Sequence, residues 1–157
     1  MQDMDIRLAE SPGEIALVGQ LWREYWDSLS LPMDFQGFGD ELEGLPGAYA
    51  ADGGALLLAR DENEPAGTIA IRRLDRNSGE VKRLYLRPGF RGHGLGRRLL
   101  EAVIERAANI ARYDCLYADT LPSMTEALAL YQRVGFERVD AYSPTPTPDA
   151  IYLRLKL

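Results

Sequence analysis

The chain is short of the residues on which much metal and nucleophile chemistry depends. Its 157 residues include one cysteine, Cys115, and one histidine, His93. A lone cysteine excludes an internal disulfide and a site built from several thiolates, and a lone histidine argues against a histidine-based metal centre, so no metal is expected. No histidine neighbours Cys115 in sequence, and its segment reads as a buried strand, where an inert core thiol is the expectation. Long apolar runs are missing as well. Stretches such as Ala55–Ala59 are far too short to cross a bilayer, so no membrane partner is expected. Met1–Asp5 has neither a basic nor an apolar leader pattern, which points to a cytoplasmic protein. Positive charge is not in excess: the net charge is −6, which does not favour nucleic acid as a partner. An acidic surface helps to attract a cationic amine, and it is also an ordinary way of staying soluble. No internal repeat and no linker is visible, so residues 1–157 are expected to form a single domain with its own core.

The chain does hold 46% hydrophobic residues, patterned for alternating strands and helices. Asp5–Ala9 alternates as a first strand. Ser11-Pro12-Gly13-Glu14 is a helix start, with Ser11 as cap and Glu14 as its reciprocal partner, and the helix runs through Trp22, Tyr25 and Trp26 to about Ser28. These aromatics read mainly as core, with room for one to line a pocket at the helix end. Leu31–Tyr49 is irregular, with at most a short helix around Phe38–Leu42. Strands follow at Gly54–Arg60 and Pro65–Leu74, and Asp75–Gly79 turns into a further strand starting at Glu80. Asp114–Ala118 is a strand. Ser123-Met-Thr-Glu126 reads as a second capping box for a helix that stops at Gly135. Phe136–Ala141 and Ile151–Leu157 read as strands on either side of a stiff, proline-rich loop, Ser143–Pro148. The fold class is α+β, a mixed sheet of six or seven strands flanked by helices.

One stretch organises the rest. Glu80–Leu86 is strand-like, Pro88-Gly89 stops it, and Arg91-Gly92-His93-Gly94-Leu95-Gly96 leads into a helix whose apolar face is Leu95, Leu99, Leu100, Val103, Ile104, Ala107 and Ala111. Strand, glycine loop and helix together aim backbone N–H groups and a helix N-terminus at an anion. The helix start carries Arg91, Arg97 and Arg98, with no acid before Glu101. Cations at a positive dipole end are unfavourable unless a phosphate or pyrophosphate sits there; the alternative is that they are solvated and pair with acids elsewhere. No Gly-Lys-Ser/Thr follows the glycines, so the loop is not of the Walker type. The Gly-x-Gly-x-Gly spacing is not the dinucleotide fingerprint either.

Taken with a later motif, the loop resembles that of the GNAT superfamily of N-acetyltransferases. Arg91, Gly94 and Gly96 meet that family's Arg/Gln-x-x-Gly-x-Gly/Ala signature, and Leu130, Tyr131, Gly135 and Phe136 meet its Leu-Tyr-x-x-x-Gly-Phe signature, in the family's order and spacing. The resemblance spans roughly residues 4–157. It implies a mostly antiparallel mixed sheet and transfer of an acetyl group from acetyl-CoA to a primary amine of a small molecule or protein. Attack is direct, in a ternary complex without a covalent acyl-enzyme. It further implies that the strand splays at Leu84, Tyr85 and Leu86, whose backbone then pairs with the pantetheine arm, and that Arg91, Gly92, His93, Gly94, Leu95, Gly96 and Arg97 hold the pyrophosphate. Tyr131 becomes the expected general acid, because a phenol with a pKa near ~10 is protonated at neutral pH and can donate to a leaving thiolate. Glu80 is the expected base, acting through a water. The segment holding Asp34, Phe35, Asp40, Glu41 and Glu43 borders the acceptor site in such proteins. Its acids suit a cationic acceptor, and equally a solvated loop. Many family members carry an Asn where this chain has Met124, which puts contacts from that helix in question. A homodimer is compatible with the chain, although no single feature calls for one. The rival reading is a non-catalytic acyl-CoA-binding sensor, which would need the glycine loop but not Tyr131.

Overall fold

Ser11 caps the first helix as its sequence pattern predicts. The Glu14 amide donates to Ser11 Oγ at 3.2 Å and the Ser11 amide to Glu14 Oε1 at 3.1 Å, a reciprocal box. The computed structural model describes residues 4–29, 37–142 and 148–157. Helix α1 spans Pro12–Leu29, α2 Phe38–Glu43, α3 Leu95–Asn109 and α4 Thr125–Arg133. The strands are β1 (Met4–Leu8), β2 (Ala55–Asp61), β3 (Glu64–Arg73), β4 (Ser78–Leu86), β5 (Cys115–Thr120), β6 (Glu137–Val139) and β7 (Ile151–Lys156). They form one sheet in the order β1-β2-β3-β4-β5-β7-β6. Every neighbouring pair is antiparallel except β4 and β5. The expected α+β sheet is therefore present, with seven strands.

Both faces of this sheet are covered, which explains why β2 reads as a continuous apolar run instead of an alternating one. Leu57 and Ala59 face α3, where Leu99, Leu100, Val103 and Ala107 pack with Ile69, Ile71, Val81, Leu116 and Leu153. Leu56 and Leu58 face the other way, against Val18, Leu21, Trp22 and Trp26 of α1 and Phe38 and Leu42 of α2. Phe38 stacks on Trp26 at 4.0 Å between centroids, which anchors the short α2 to α1.

Three local expectations need correction. The Ser123–Glu126 box does not form: α4 starts one residue later, with Met124 at its N-cap position and no side-chain cap. The Leu128 amide reaches the Met124 carbonyl at 3.0 Å, so the helix register places Glu126 too early to reach back. Strand β6 is also shorter than Phe136–Ala141: it spans Glu137–Val139, with Phe136 buried in the core beside Tyr131. Cys115, expected to be buried, is half-exposed at the start of β5. The proline-rich loop lies outside the described residues, except for Pro148.

Candidate active site

Strands β4 and β5 run side by side for four residue pairs, Ser78–Val81 against Cys115–Ala118, and then part. Beyond Val81, β4 pairs only with β3, and β5 only with β7. A bulge in β4 accompanies the parting. Thr68 stands opposite Tyr85 but Ala70 opposite Lys82, so β4 carries one extra residue, and Arg83 there adopts φ 58°. The parted strands leave main-chain N–H and C=O groups of Lys82–Leu86 along one bank of a cleft of about 640 Å³.

The glycine loop closes one end of this cleft. Gly94 is the N-cap residue of α3 at φ 82°, and no side chain caps the helix. An L side chain is strained in that conformation, while no atom lies within 4 Å of the Cβ it would add. The space beside Gly94 is thus open to a ligand, and a Cβ would intrude on it. Gly96 serves packing instead: an added Cβ would stand 3.3 Å from Leu130 and 3.5 Å from Leu86. The bare N-termini of α3 and α4 both border the cleft, through Gly94 and Gly96 on one side and Thr125, Glu126 and Ala127 on the other.

Leu84, Tyr85, Leu86, Arg91, Gly92, Gly94, Gly96 and Arg97 all line the cleft. His93 is exposed and does not, and the Leu95 side chain points into the core, so each can offer only its backbone. Arg91 is held in place by donating from Nε to the Leu86 carbonyl at 2.9 Å, with its guanidinium over the Tyr85 ring. Arg97 meets Glu101 at 3.3 Å in an exposed pair that costs little to rearrange. Arg98 turns away and donates to the Met4 carbonyl.

Tyr131 lines the cleft from α4, 4% exposed and edge-on to Phe136. Burial, with Tyr25, Asp119 and Glu80 in the surroundings, pushes its phenol above the usual 10, so it holds its proton. Glu80 is 4% exposed and stands outside the cleft lining. Arg72 donates to Oε1 at 3.0 Å and the Tyr142 hydroxyl to Oε2 at 2.7 Å, so both oxygens are engaged. Sequence reasoning missed Lys82, Asp119 and Thr120, which line the cleft; of the α1 aromatics that it allowed to line a pocket, Tyr25 and Trp26 do so. Met124 receives hydrogen bonds at Sδ from Thr120 at 3.4 Å and Tyr25 at 3.7 Å, so it bridges α1 and β5 where an Asn was expected. Of the acids between α1 and β2, Asp34 lies outside the described residues, as does Phe35, and Asp40 and Glu43 are exposed. Glu41 turns inward: Arg83 donates to it at 2.9 and 3.4 Å, and Tyr49 donates as well.

A mixed sheet parted between two parallel strands, with a bare helix N-terminus aimed into the gap, suits an elongated ligand. Such a ligand would carry phosphate at one end and amides that extend the sheet, which is the architecture of the acyl-CoA-using transferases. The sequence comparison agrees: the model of the acetyltransferase (GNAT) family matches residues 18–136, and the chain belongs to that family. It is an acetyl-CoA-dependent N-acetyltransferase. An uncharacterised N-acetyltransferase of Schizosaccharomyces pombe is 31% identical over 157 residues, covering 99% of this chain and 96% of the relative. Among solved structures, an acetyltransferase from Streptococcus agalactiae superposes with a TM-score of 0.81 at 23% identity, each chain covered in full. A GNAT family acetyltransferase from Elizabethkingia anophelis, crystallised with acetyl-CoA bound, gives 0.63 at 23% identity, again with full coverage of both chains. Among the described residues no helix is long and apolar enough to cross a membrane.

Proposed function

We propose that residues 1–157 act as one cytoplasmic domain that joins acetyl-CoA and a primary amine in a ternary complex and transfers the acetyl group by direct attack. The observation that carries this reading is the parting of β4 from β5 after Val81, which opens a cleft that the buried Tyr131 also lines. The main chain of Leu84, Tyr85 and Leu86, on the bank that β5 leaves, suits the amides of a pantetheine arm. The N–H groups from Gly92 to Arg97, with the Arg91 and Arg97 cations, suit its pyrophosphate.

In the transfer step the amine loses one proton, its nitrogen bonds to the acyl carbon, and the C–S bond breaks. Tyr131 gives its proton to the departing sulfur and regains one from solvent. The amine's proton passes to water, with Glu80 as the proposed acceptor behind that water. Its support is its position one residue ahead of the split; with both oxygens engaged, it acts through water and not by touching the amine. A buried, protonated phenol facing the gap favours an enzyme over a sensor that only holds acyl-CoA.

Calorimetric titration with acetyl-CoA and with free CoA at two salt concentrations tests the ligand. Binding that weakens with salt is expected, because the loop contributes charge. A CoA-release assay over an amine panel tests transfer. Binding without release for any amine would favour the sensor reading.

A further inference from the structure

Glu80 is a buried carboxylate held at both oxygens just short of the split. It pairs with Tyr117 of β5, and the next pair, Val81 with Ala118, is the last before the strands part. A charge without water depends on donors from the protein. Arg72, its partner on β3, donates to Oε1 at 3.0 Å. The Arg72 side chain is itself 38% exposed, so solvent screens part of its attraction. Among the described residues, Oε2 has one donor, the Tyr142 hydroxyl at 2.7 Å.

Tyr142 arrives from beyond the end of β6, yet its place is fixed. Its ring centroid lies 4.8 Å from that of Tyr117 and, edge-on, 5.1 Å from that of Tyr152. One ring from β5 and one from β7 thus hold the phenol against Glu80. Burial, with Glu80 alongside, pushes the Tyr142 phenol well above its usual 10, so it keeps its proton and stays the donor. A carboxylate oxygen has two lone pairs, so each oxygen of Glu80 retains one for a water. The two donors orient the carboxylate without exhausting it.

We propose that Tyr142 is a positioning residue for transfer: its hydroxyl keeps the Glu80 carboxylate ionised and oriented toward the water that takes the amine's proton. This rests on the reading of Glu80 as the base and adds a residue to that same step. The proton passes from the amine to water and from water to Glu80, while Tyr142 donates one hydrogen bond throughout and no bond within it breaks. A hydrogen bond to the charged form of an acid favours that form. Without it, Glu80 takes up its proton at a higher pH and is idle over that range. The other titratable groups around Glu80 stay where they are when the hydroxyl is removed. They are Arg72 of β3, Lys82 on the same face of β4, Asp119 of β5 and Tyr131 of α4. Glu41 and Tyr49 act on Arg72 from the α2 side.

The test reads kcat/KM against pH by CoA release, with one amine from the panel, for the parent, Tyr142→Phe and Glu80→Gln. Phenylalanine keeps both ring contacts and removes the donor alone. The acid limb of Tyr142→Phe is expected about 1 pH unit above the parent's, the size of one hydrogen bond to a charged group. The variant is then about tenfold slower below the limb and close to the parent on the plateau. The amine's own titration is common to all three proteins and cancels. A tyrosine with only a structural role would slow transfer evenly at every pH. Should Tyr142→Phe fail to fold, replacing Tyr142 with fluorotyrosine, a more acidic phenol and so a stronger donor, should move the limb down; an unmoved limb there overturns the inference. An unmoved limb in a folded Tyr142→Phe, with the limb lost in Glu80→Gln, overturns this inference alone. A parent-like profile in Glu80→Gln looks different: the base reading fails, and the inference falls with it. So too if acetyl-CoA binds and no amine of any class releases CoA.

Discussion

Replacing Arg83 with methionine isolates the pair that fixes the wall of the cleft. The side chain is 5% exposed and its partner Glu41 is 18% exposed, so neither charge is well screened by water. The guanidinium also lies 5.0 to 5.8 Å from the ring centroids of Trp22, Trp26 and Phe38. Removing one member of a buried pair costs about 3–5 kcal/mol, because the other charge stays behind. For a chain of this length that corresponds to roughly 6–20 °C in Tm, at ~2–4 °C per kcal/mol. Methionine meets the same positive φ of 58° at residue 83, so backbone strain cancels in the comparison. Glu41→Gln should cost less, since Arg83 keeps its three aromatic rings.

The cost must also depend on pH. Burial alone would raise the Glu41 carboxyl, but hydrogen bonds from Arg83 and Tyr49 hold it below its usual 4.5. A depressed carboxylate contributes stability that is present above 4.5 and lost as pH falls through its lowered folded value. Without Arg83 the burial penalty dominates and Glu41 protonates at a higher pH than in the parent. The gap in Tm between parent and Arg83→Met is therefore full at pH 7 and narrows toward pH 4. Thermal melts followed by circular dichroism at both values measure it. A variant that melts within about 2 °C of the parent at pH 7, or a gap that does not change with pH, would refute the reasoning.

Tyr131→Phe is expected to lower kcat by about 100-fold with acetyl-CoA affinity nearly unchanged; transfer at the parent rate removes the acid role. Because burial raises the Tyr131 phenol, its acid function should persist through pH 10, and a loss near that pH that disappears in Tyr131→Phe would contradict the burial argument. Gly94→Ala should cost about 1–2 kcal/mol of stability through its φ alone, since nothing crowds the new Cβ, yet weaken acetyl-CoA binding in calorimetry by more than that. Glu80→Gln should shift the pH–rate profile if Glu80 receives the amine's proton through water; an unmoved profile leaves it with the structural role of holding Arg72 and Tyr142.

Local rules determined much of this protein. The Ser11 box, the apolar face of α3 and the glycine loop each depend on residues a few positions apart, so spacing and propensity sufficed to read them. The two signature motifs were legible for the same reason, and they sufficed to name the family. The features that shape the cleft are not local. Where β4 leaves β5 is a matter of register between strands separated by the whole of α3, and it alone brings Lys82 to Asp119. Tertiary packing likewise buried Glu80 against Arg72 and Tyr142, turned Glu41 inward to Arg83, and set Met124 across the gap to Tyr25 and Thr120. A sequence lists its charges, but only the folded chain decides which of them lose their water and which partner each then meets.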